Sequence, residues 1–253
     1  MRGKQKSSDL VSVDNKYTEL AKYYDNFMTS GYYDYQDYAT SLQEILGERR
    51  KILDMGLGTG LLTEQMLLLE NYHITGIDFS PAMLAQAEVR LKDTSVRLVC
   101  ADIEDYQISE TFEAVISTGG VLSISYREKE KQYRLYSYCS NKDAQMRWLN
   151  KLYDLLDKDG ILCISIQGEH TNYEMPIKDG IVYAQKTNFG EQSLQKTYKF
   201  SENGKILSQQ QVQLLFFDEI EYLSLFATAG FSLVGQERTQ KLCIFRKNEL
   251  KKG

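Results

Sequence analysis

KILDMGLGTG, residues 51–60, is the stretch on which the fold reading turns. A short apolar run of strand character ends in glycines at 56, 58 and 60. Thr59 to Glu70 follows, with leucines at 61, 62, 67, 68 and 69, and is expected to form a helix. A glycine-rich turn between strand and helix leaves the backbone bare, so a ligand can approach with no Cβ in the way. In the dinucleotide fingerprint G-x-G-x-x-G, the third glycine packs helix on strand and the helix N-terminus receives a pyrophosphate. That third position is Leu61 here, and the spacing is D-x-G-x-G-x-G, with Asp54 two residues ahead of Gly56. A carboxylate at the strand end suits a ligand carrying positive charge better than it suits a diphosphate.

Outward from this turn, short apolar runs alternate with helical stretches. HITGIDF (73–79), VRLVCAD (96–102), FEAVIST (112–118) and ILCISIQ (161–167) read as further strands. Ser80 supplies a helix N-cap and Pro81 the first helical position, ahead of a stripe of Met83, Leu84, Ala87 and Leu91. Ala144 to Leu156 places Trp148, Leu149, Leu152, Leu155 and Leu156 at helical spacing. Phe217 to Ala229 reads as a last helix, before the strands SLVGQE (232–237) and KLCIFRK (241–247). Strands alternating with such helices predict a doubly wound α/β fold whose ligand sits at the strand C-termini. Asp78 closes the second of these strands and can accept bonds from ribose hydroxyls; Asp102 closes the third.

The 253 residues are 42% hydrophobic and 26% charged, a globular composition with no apolar run long enough to span a bilayer. The net charge of -5 lacks the basic excess of a nucleic-acid groove. The opening MRGKQKSSDL has no apolar stretch behind its basic residues, so a cytoplasmic protein without a secretory leader is expected. The four cysteines form no CxxC and only two histidines occur, so no metal is expected. Cys100, Cys163 and Cys243 sit in apolar strand-like runs and are expected to be buried thiols.

Two segments differ from the alternating frame. Residues 1–50 are polar and tyrosine-rich, with Leu20, Tyr23, Tyr24 and Phe27 at helical spacing and a second helix expected over Tyr38 to Leu46. Residues 178–216 alternate apolar and polar around turn signals at Asn188–Gly190 and Asn203-Gly204, which predicts two or three antiparallel strands. The charged, aromatic stretch Tyr126 to Tyr138 is read as a helix with a partial substrate role.

Asp54-Met-Gly56-Leu-Gly58-Thr-Gly60 resembles motif I of the class I S-adenosylmethionine-dependent methyltransferases. The resemblance covers about residues 20–248, with its specific motifs between 51 and 120. It implies that Asp54, Gly56, Gly58 and Gly60 wrap the methionine half of the cofactor and that Asp78 holds the ribose. It further implies that Asp102 and the Ile103 N–H bind the adenine edge while Phe79 and Met83 flank its faces. FEAVIST with Gly119-Gly120 resembles motif IV, bringing Thr118 to the cofactor and Gly120 to the acceptor. That motif often carries a bulky or polar residue where two glycines stand here. The fold implied is a seven-stranded sheet of order 3-2-1-4-5-7-6, strand 7 antiparallel, spanning 51–177 and 217–253. Residues 1–50 would be a helical lid and 178–216 an antiparallel cap.

The segment AKYYDNFM (21–28) resembles the lid opening of sugar-amine and amino-acid N-methyltransferases. Tyr24 is expected at the cofactor and in catalysis, and Tyr23 and Tyr33 at the acceptor, where ring faces attract a cation by about 0.5–2 kcal/mol each. His170, after the fifth strand, is a candidate general base, and Glu169 beside it a partner for an ammonium group. The reading is methyl transfer to a small molecule, an amine before a hydroxyl, by a monomer or homodimer with no nucleic-acid or membrane partner. Alternatives are an O-methyltransferase of a small metabolite or a catalytically silent cofactor-binding module. An NAD-dependent oxidoreductase is a distant third, because of Leu61 and Asp102.

Overall fold

The computed structural model describes residues 17–18, 20–107, 109–236 and 241–249. Its organising strand is β1 (Lys51–Met55), buried from Ile52 onward and paired in parallel with β2 (His73–Asp78) and β4 (Phe112–Ser117). β3 (Arg97–Cys100) extends the sheet beyond β2, and β7 (Leu156–Gln167) lies beyond β4, both in parallel. β13 (Leu242–Lys247) runs antiparallel to β7 and β12 (Phe231–Gly235) antiparallel to β13.

Side chains alternate across this sheet. Ile52, Ile74, Ala114, Ile116 and Cys163 pack under α2 (Tyr35–Leu46) and α3 (Leu61–Leu69). Leu53, Met55, Ile77, Val115 and Leu162 pack on the other face under α5 (Lys142–Leu155) and α6 (Glu219–Thr228). α4 (Pro81–Arg90) begins as expected, with Ser80 Oγ accepting from the Met83 N–H at 3.3 Å. Helix α2 therefore belongs to the core layer. The described lid is the short helix α1 (Ala21–Phe27) and a π-helical turn over Met28–Tyr32, in which Gly31 takes φ +93°. Residues 1–16, part of the expected lid and all of the stretch read for a leader, lie outside the described residues.

Among the described residues the sheet holds thirteen strands, more than the seven expected. Tyr126 to Tyr138 is no helix. β5 (Leu122–Arg127) and β6 (Gln132–Ser137) form an antiparallel hairpin that turns through Lys131 at φ +53°. Helix-forming charges at the tip hide a two-residue period: Leu122 and Ile124 face Ser137 and Leu135 across the ladder, all buried. β5 pairs in parallel with the end of β7. The cap strands are β8 (Tyr173–Pro176), β9 (Ile181–Phe189), β10 (Ser193–Glu202) and β11 (Lys205–Asp218). β11 pairs with β10 over most of its length and with β6 through Leu215–Asp218, so cap and central strands form one sheet. Lid and cap share a second core, in which Phe27 stacks on Tyr183 with ring centroids 3.8 Å apart. Cys100 is exposed, contrary to the buried thiol expected, because β3 is the edge strand at that end of the sheet.

Candidate active site

The glycine turn after β1 is stitched to β2 by the N–H groups of Gly56 and Leu57, which both donate to the Ile77 carbonyl, at 2.8 and 3.2 Å. Gly56 takes φ +81°, and a Cβ there would lie 2.4 Å from Val121 Cγ2. Gly58 also has positive φ but meets only the Gly56 carbonyl, at 4.0 Å. Gly60 serves packing: a Cβ there would lie 2.9 Å from Leu91 of the segment ending α4. The first two glycines line the site and the third does not.

Three aspartates close three neighbouring strands, and they do different things. Asp78 accepts from the Gly58 N–H through Oδ2 (2.9 Å) and from the Ser80 N–H through Oδ1 (2.8 Å). A carboxylate offers about four lone-pair sites, so these two bonds fix its orientation and leave room for two hydroxyls. Burial raises its pKa while the two N–H groups oppose the rise. Asp102 and Ile103 line an apolar recess of about 240 Å³, space open to solvent included, with Phe79, Val121 and Trp148. Met83 lies outside that recess, in the larger chamber. Trp148 was legible only as part of a helix stripe.

Asp54 does not line the chamber. It is 2% exposed, and its Oδ2 accepts from Thr63 Oγ1 at 2.8 Å, tying α3 to β1. Its Oδ1 is buried without a partner among the described residues, an atom that a proton or a nearby cation would satisfy. Burial raises its pKa to about 7, well above the usual carboxylate range. The native state thus binds a proton that the unfolded chain gives up. This group's contribution is full below about pH 4 and is lost as pH rises through about 7. Asp54→Asn is expected to stabilise the cofactor-free chain at pH 8 by about 2–4 kcal/mol and to be near neutral at pH 4, as read by urea titration. Equal effects at the two pH values would overturn this account.

The main chamber, about 850 Å³ including space open to solvent, lies where the turn, lid and cap meet. Its floor is Gly56, Gly58, Asp78, Gly119 and Gly120, and ideal Cβ atoms on the last two would meet nothing within 4 Å. Tyr24 and Tyr33 line it as expected, and so do Tyr17, Tyr32, Tyr138, Tyr183 and Tyr198. Tyr17 and Tyr138 are joined by a short hydroxyl–hydroxyl bond. Burial, then Tyr32 and Asp78, raise the Tyr24 pKa, so its phenol stays protonated and serves as a donor rather than a base. The lid is clasped to the floor by Asp25, which accepts from Thr59 Oγ1 at 2.6 Å and pairs with Arg90. Gln86 adds a bond to the Ala21 carbonyl.

Besides Asp54 and Gly60, four further expected residues stand away from the chamber. Tyr23 stacks on Phe200 from outside. Thr118 lines neither space. Glu169 pairs with Arg127 at 3.3 Å. His170 lines an adjoining cleft behind Tyr32, Tyr33, Gln167 and Gln185. It is 5% exposed and packs edge-on against Tyr136 at 4.3 Å between centroids. Burial, then Lys196 and Arg127, push its pKa well down, so the imidazole is neutral. Lys196, in the chamber wall, was missed. Its signal was available: Leu194, Lys196, Tyr198 and Phe200 share one side of β10, and all are buried.

The donors and acceptors present fit S-adenosylmethionine. Asp78 has acceptor capacity left beyond its two backbone bonds, the recess at Asp102 is apolar, and Gly58 brings bare backbone to the chamber. Asp54, expected to touch the methionine half, is bonded to Thr63 through Oδ2 and is not among the residues lining the chamber. Among the described residues no helix is long and apolar enough to cross a membrane.

Comparison with known proteins places these features. A family model for a methyltransferase domain matches residues 52–160. The malonyl-[acyl-carrier protein] O-methyltransferase of Bacillus anthracis is 33% identical over 133 residues, 49% of this chain and 40% of that protein. The chain thus spans less than half the length of that relative. Among solved structures, the CcbJ methyltransferase of Streptomyces caelestis superposes with a TM-score of 0.73 at 16% identity, over 93% of this chain and 99% of that one. CalS10, an amino pentose methyltransferase of Micromonospora echinaspora with S-adenosylmethionine bound, gives 0.66 at 18% identity, over 89% and 96%. At such identities these two likenesses speak for the fold. The matched stretch carries the glycine turn and the strand-end aspartates, so residues 52–160 are similar to a methyltransferase domain, and the fold is the one shared by S-adenosylmethionine-dependent methyltransferases.

Proposed function

We propose that the chain transfers a methyl group to a small acceptor held in the chamber between the glycine turn, the lid and the cap. The observation that carries this reading is the enclosure itself: the floor of the cofactor site opens into a space walled by tyrosines from lid and cap. A polymer strand would need an open groove. S-adenosylmethionine supplies the electrophilic methyl group and a neutral thioether as leaving group. The chain's own residues orient and desolvate. Asp78 and the recess at Asp102 hold the nucleoside, the tyrosine faces attract positive charge, and lid and cap exclude water.

The amine acceptor expected from the sequence has little in the chamber wall to receive it. Asp78 is the only carboxylate among the lining residues, and the backbone already engages both its oxygens. The similarity to O-methyltransferases supports an oxygen acceptor instead. Isotope-labelled cofactor incubated with a small-molecule extract should yield labelled products of low mass. Cofactor binding by calorimetry without any transfer would favour a silent binding module.

The bare floor makes a separate prediction. A side chain at 120 has open space and needs no strained φ. Gly120→Leu should fold normally and bind cofactor within about threefold of wild type. It should also fill the acceptor space, lowering kcat/KM at least about 100-fold, a loss near 3 kcal/mol of transition-state stabilisation. Unchanged kcat/KM would move the acceptor elsewhere.

A further inference from the structure

We infer that Lys196 anchors the acceptor and that the acceptor is an acid, a carboxylate or acidic hydroxyl whose oxygen receives the methyl group. This rests on the proposed methyl transfer and narrows its substrate class.

The argument starts from β10. Its inward row reads Leu194, Lys196, Tyr198, Phe200, an apolar row interrupted by one amine. Lys196 is 6% exposed and lines the chamber. Its ladder neighbours are Thr187 on β9 and Val212 on β11, neither of them acidic. Among the described residues it has no ion-pair partner, and its recorded contact is the Tyr198 ring, 5.8 Å from Nζ. Such an amine is costly to bury unless something compensates it.

The surroundings sharpen the sign. The charged groups acting on nearby His170 are Lys196 and Arg127, both basic. Arg127 is already engaged by Glu130 and Glu169. Asp78 is the one carboxylate among the described residues of the chamber wall, and the Gly58 and Ser80 N–H groups already engage both its oxygens. A cationic amine would therefore be buried beside a lysine with no free counter-charge. An acid in the same place gives Lys196 the partner it lacks. Burial also lowers the lysine pKa to about 7, so the neutral amine is accessible and can take a proton.

The balance is simple. The acceptor's O–H proton passes to Lys196 Nζ; an acceptor that is already ionised meets Nζ as ammonium. The oxygen's electron pair forms the O–CH3 bond as the S–CH3 bond breaks, and the electrons of the broken bond remain on sulfur. Lys196 returns its proton to solvent once the product has left.

The test uses the full chain with S-adenosylhomocysteine and two probes of matched shape, phenylacetate and phenethylamine, titrated by calorimetry. Phenylacetate should bind at least tenfold more tightly than the amine, Lys196→Met should abolish that preference, and Lys196→Arg should retain part of it. The Met variant should keep cofactor affinity and show a Tm no lower than wild type, because an unpartnered buried amine has been removed; a merely structural lysine would lower it. In parallel, products labelled from an extract are sorted by cation exchange. Label in the unretained esters and ethers, reduced at least tenfold by Lys196→Met, supports the assignment whether or not either probe binds. Label in retained amines, tighter binding of phenethylamine, or a Met variant with an unchanged product profile overturns it. Intact cofactor binding with no labelled acid also overturns it, whereas loss of cofactor binding itself would sink the methyl-transfer reading instead.

Discussion

Asp78→Ala is expected to weaken S-adenosylmethionine binding at least about 100-fold by calorimetry while the chain stays folded. The carboxylate is 9% exposed at the junction of the chamber and the recess, held by the N–H groups of Gly58 and Ser80. Hydrogen bonds to a charged group contribute about 1.5–3 kcal/mol each, so losing two to a ribose amounts to at least about 3 kcal/mol. The substitution also frees two backbone donors and lets the turn relax. Asp78→Asn separates these effects, since its carbonyl can still accept from one N–H while the charge is gone. Its affinity should fall between wild type and alanine. Unchanged affinity in the alanine variant would remove Asp78 from the site and with it the placement of the nucleoside.

The largest loss of stability is expected at Gly56. Positive φ is strained for any residue bearing a Cβ, and the new methyl group would lie 2.4 Å from Val121 Cγ2. Conformational strain of about 1–2 kcal/mol adds to the overlap, so Gly56→Ala should lose about 3 kcal/mol in urea unfolding. Val121→Ala in the same chain should recover part of the loss, because it removes the colliding atom and leaves only the backbone strain. A double-mutant cycle reads this coupling directly. No coupling would mean that the turn moves away from Val121 at little cost.

The legible part of the site is local in the chain. The turn, the Ser80 cap and the aspartates closing β1, β2 and β3 each announce themselves within a few residues, because strand ends and caps are short-range chemistry. What escaped depends on partners distant in sequence. Lys196 matters because its row of β10 faces the lid more than 160 positions earlier, and alternation alone does not say which side is inward. His170 follows the fifth strand as expected, yet the hairpin of β5 and β6 packs Tyr136 against it, and it lines the adjoining cleft rather than the chamber. Tyr126 to Tyr138 misled through its composition: lysine and glutamate favour helix, but here they occupy a hairpin tip. Asp54 was legible at its strand end, but its bond from Thr63, nine residues on in α3, was not.

The ladder from β7 through β5 and β6 to β11 has a kinetic corollary. A roof cast in one piece with its walls cannot be lifted without unzipping main-chain bonds. Any opening of the chamber then falls to the amino-terminal door, whose latches are the side chains of Asp25, Arg90 and Gln86.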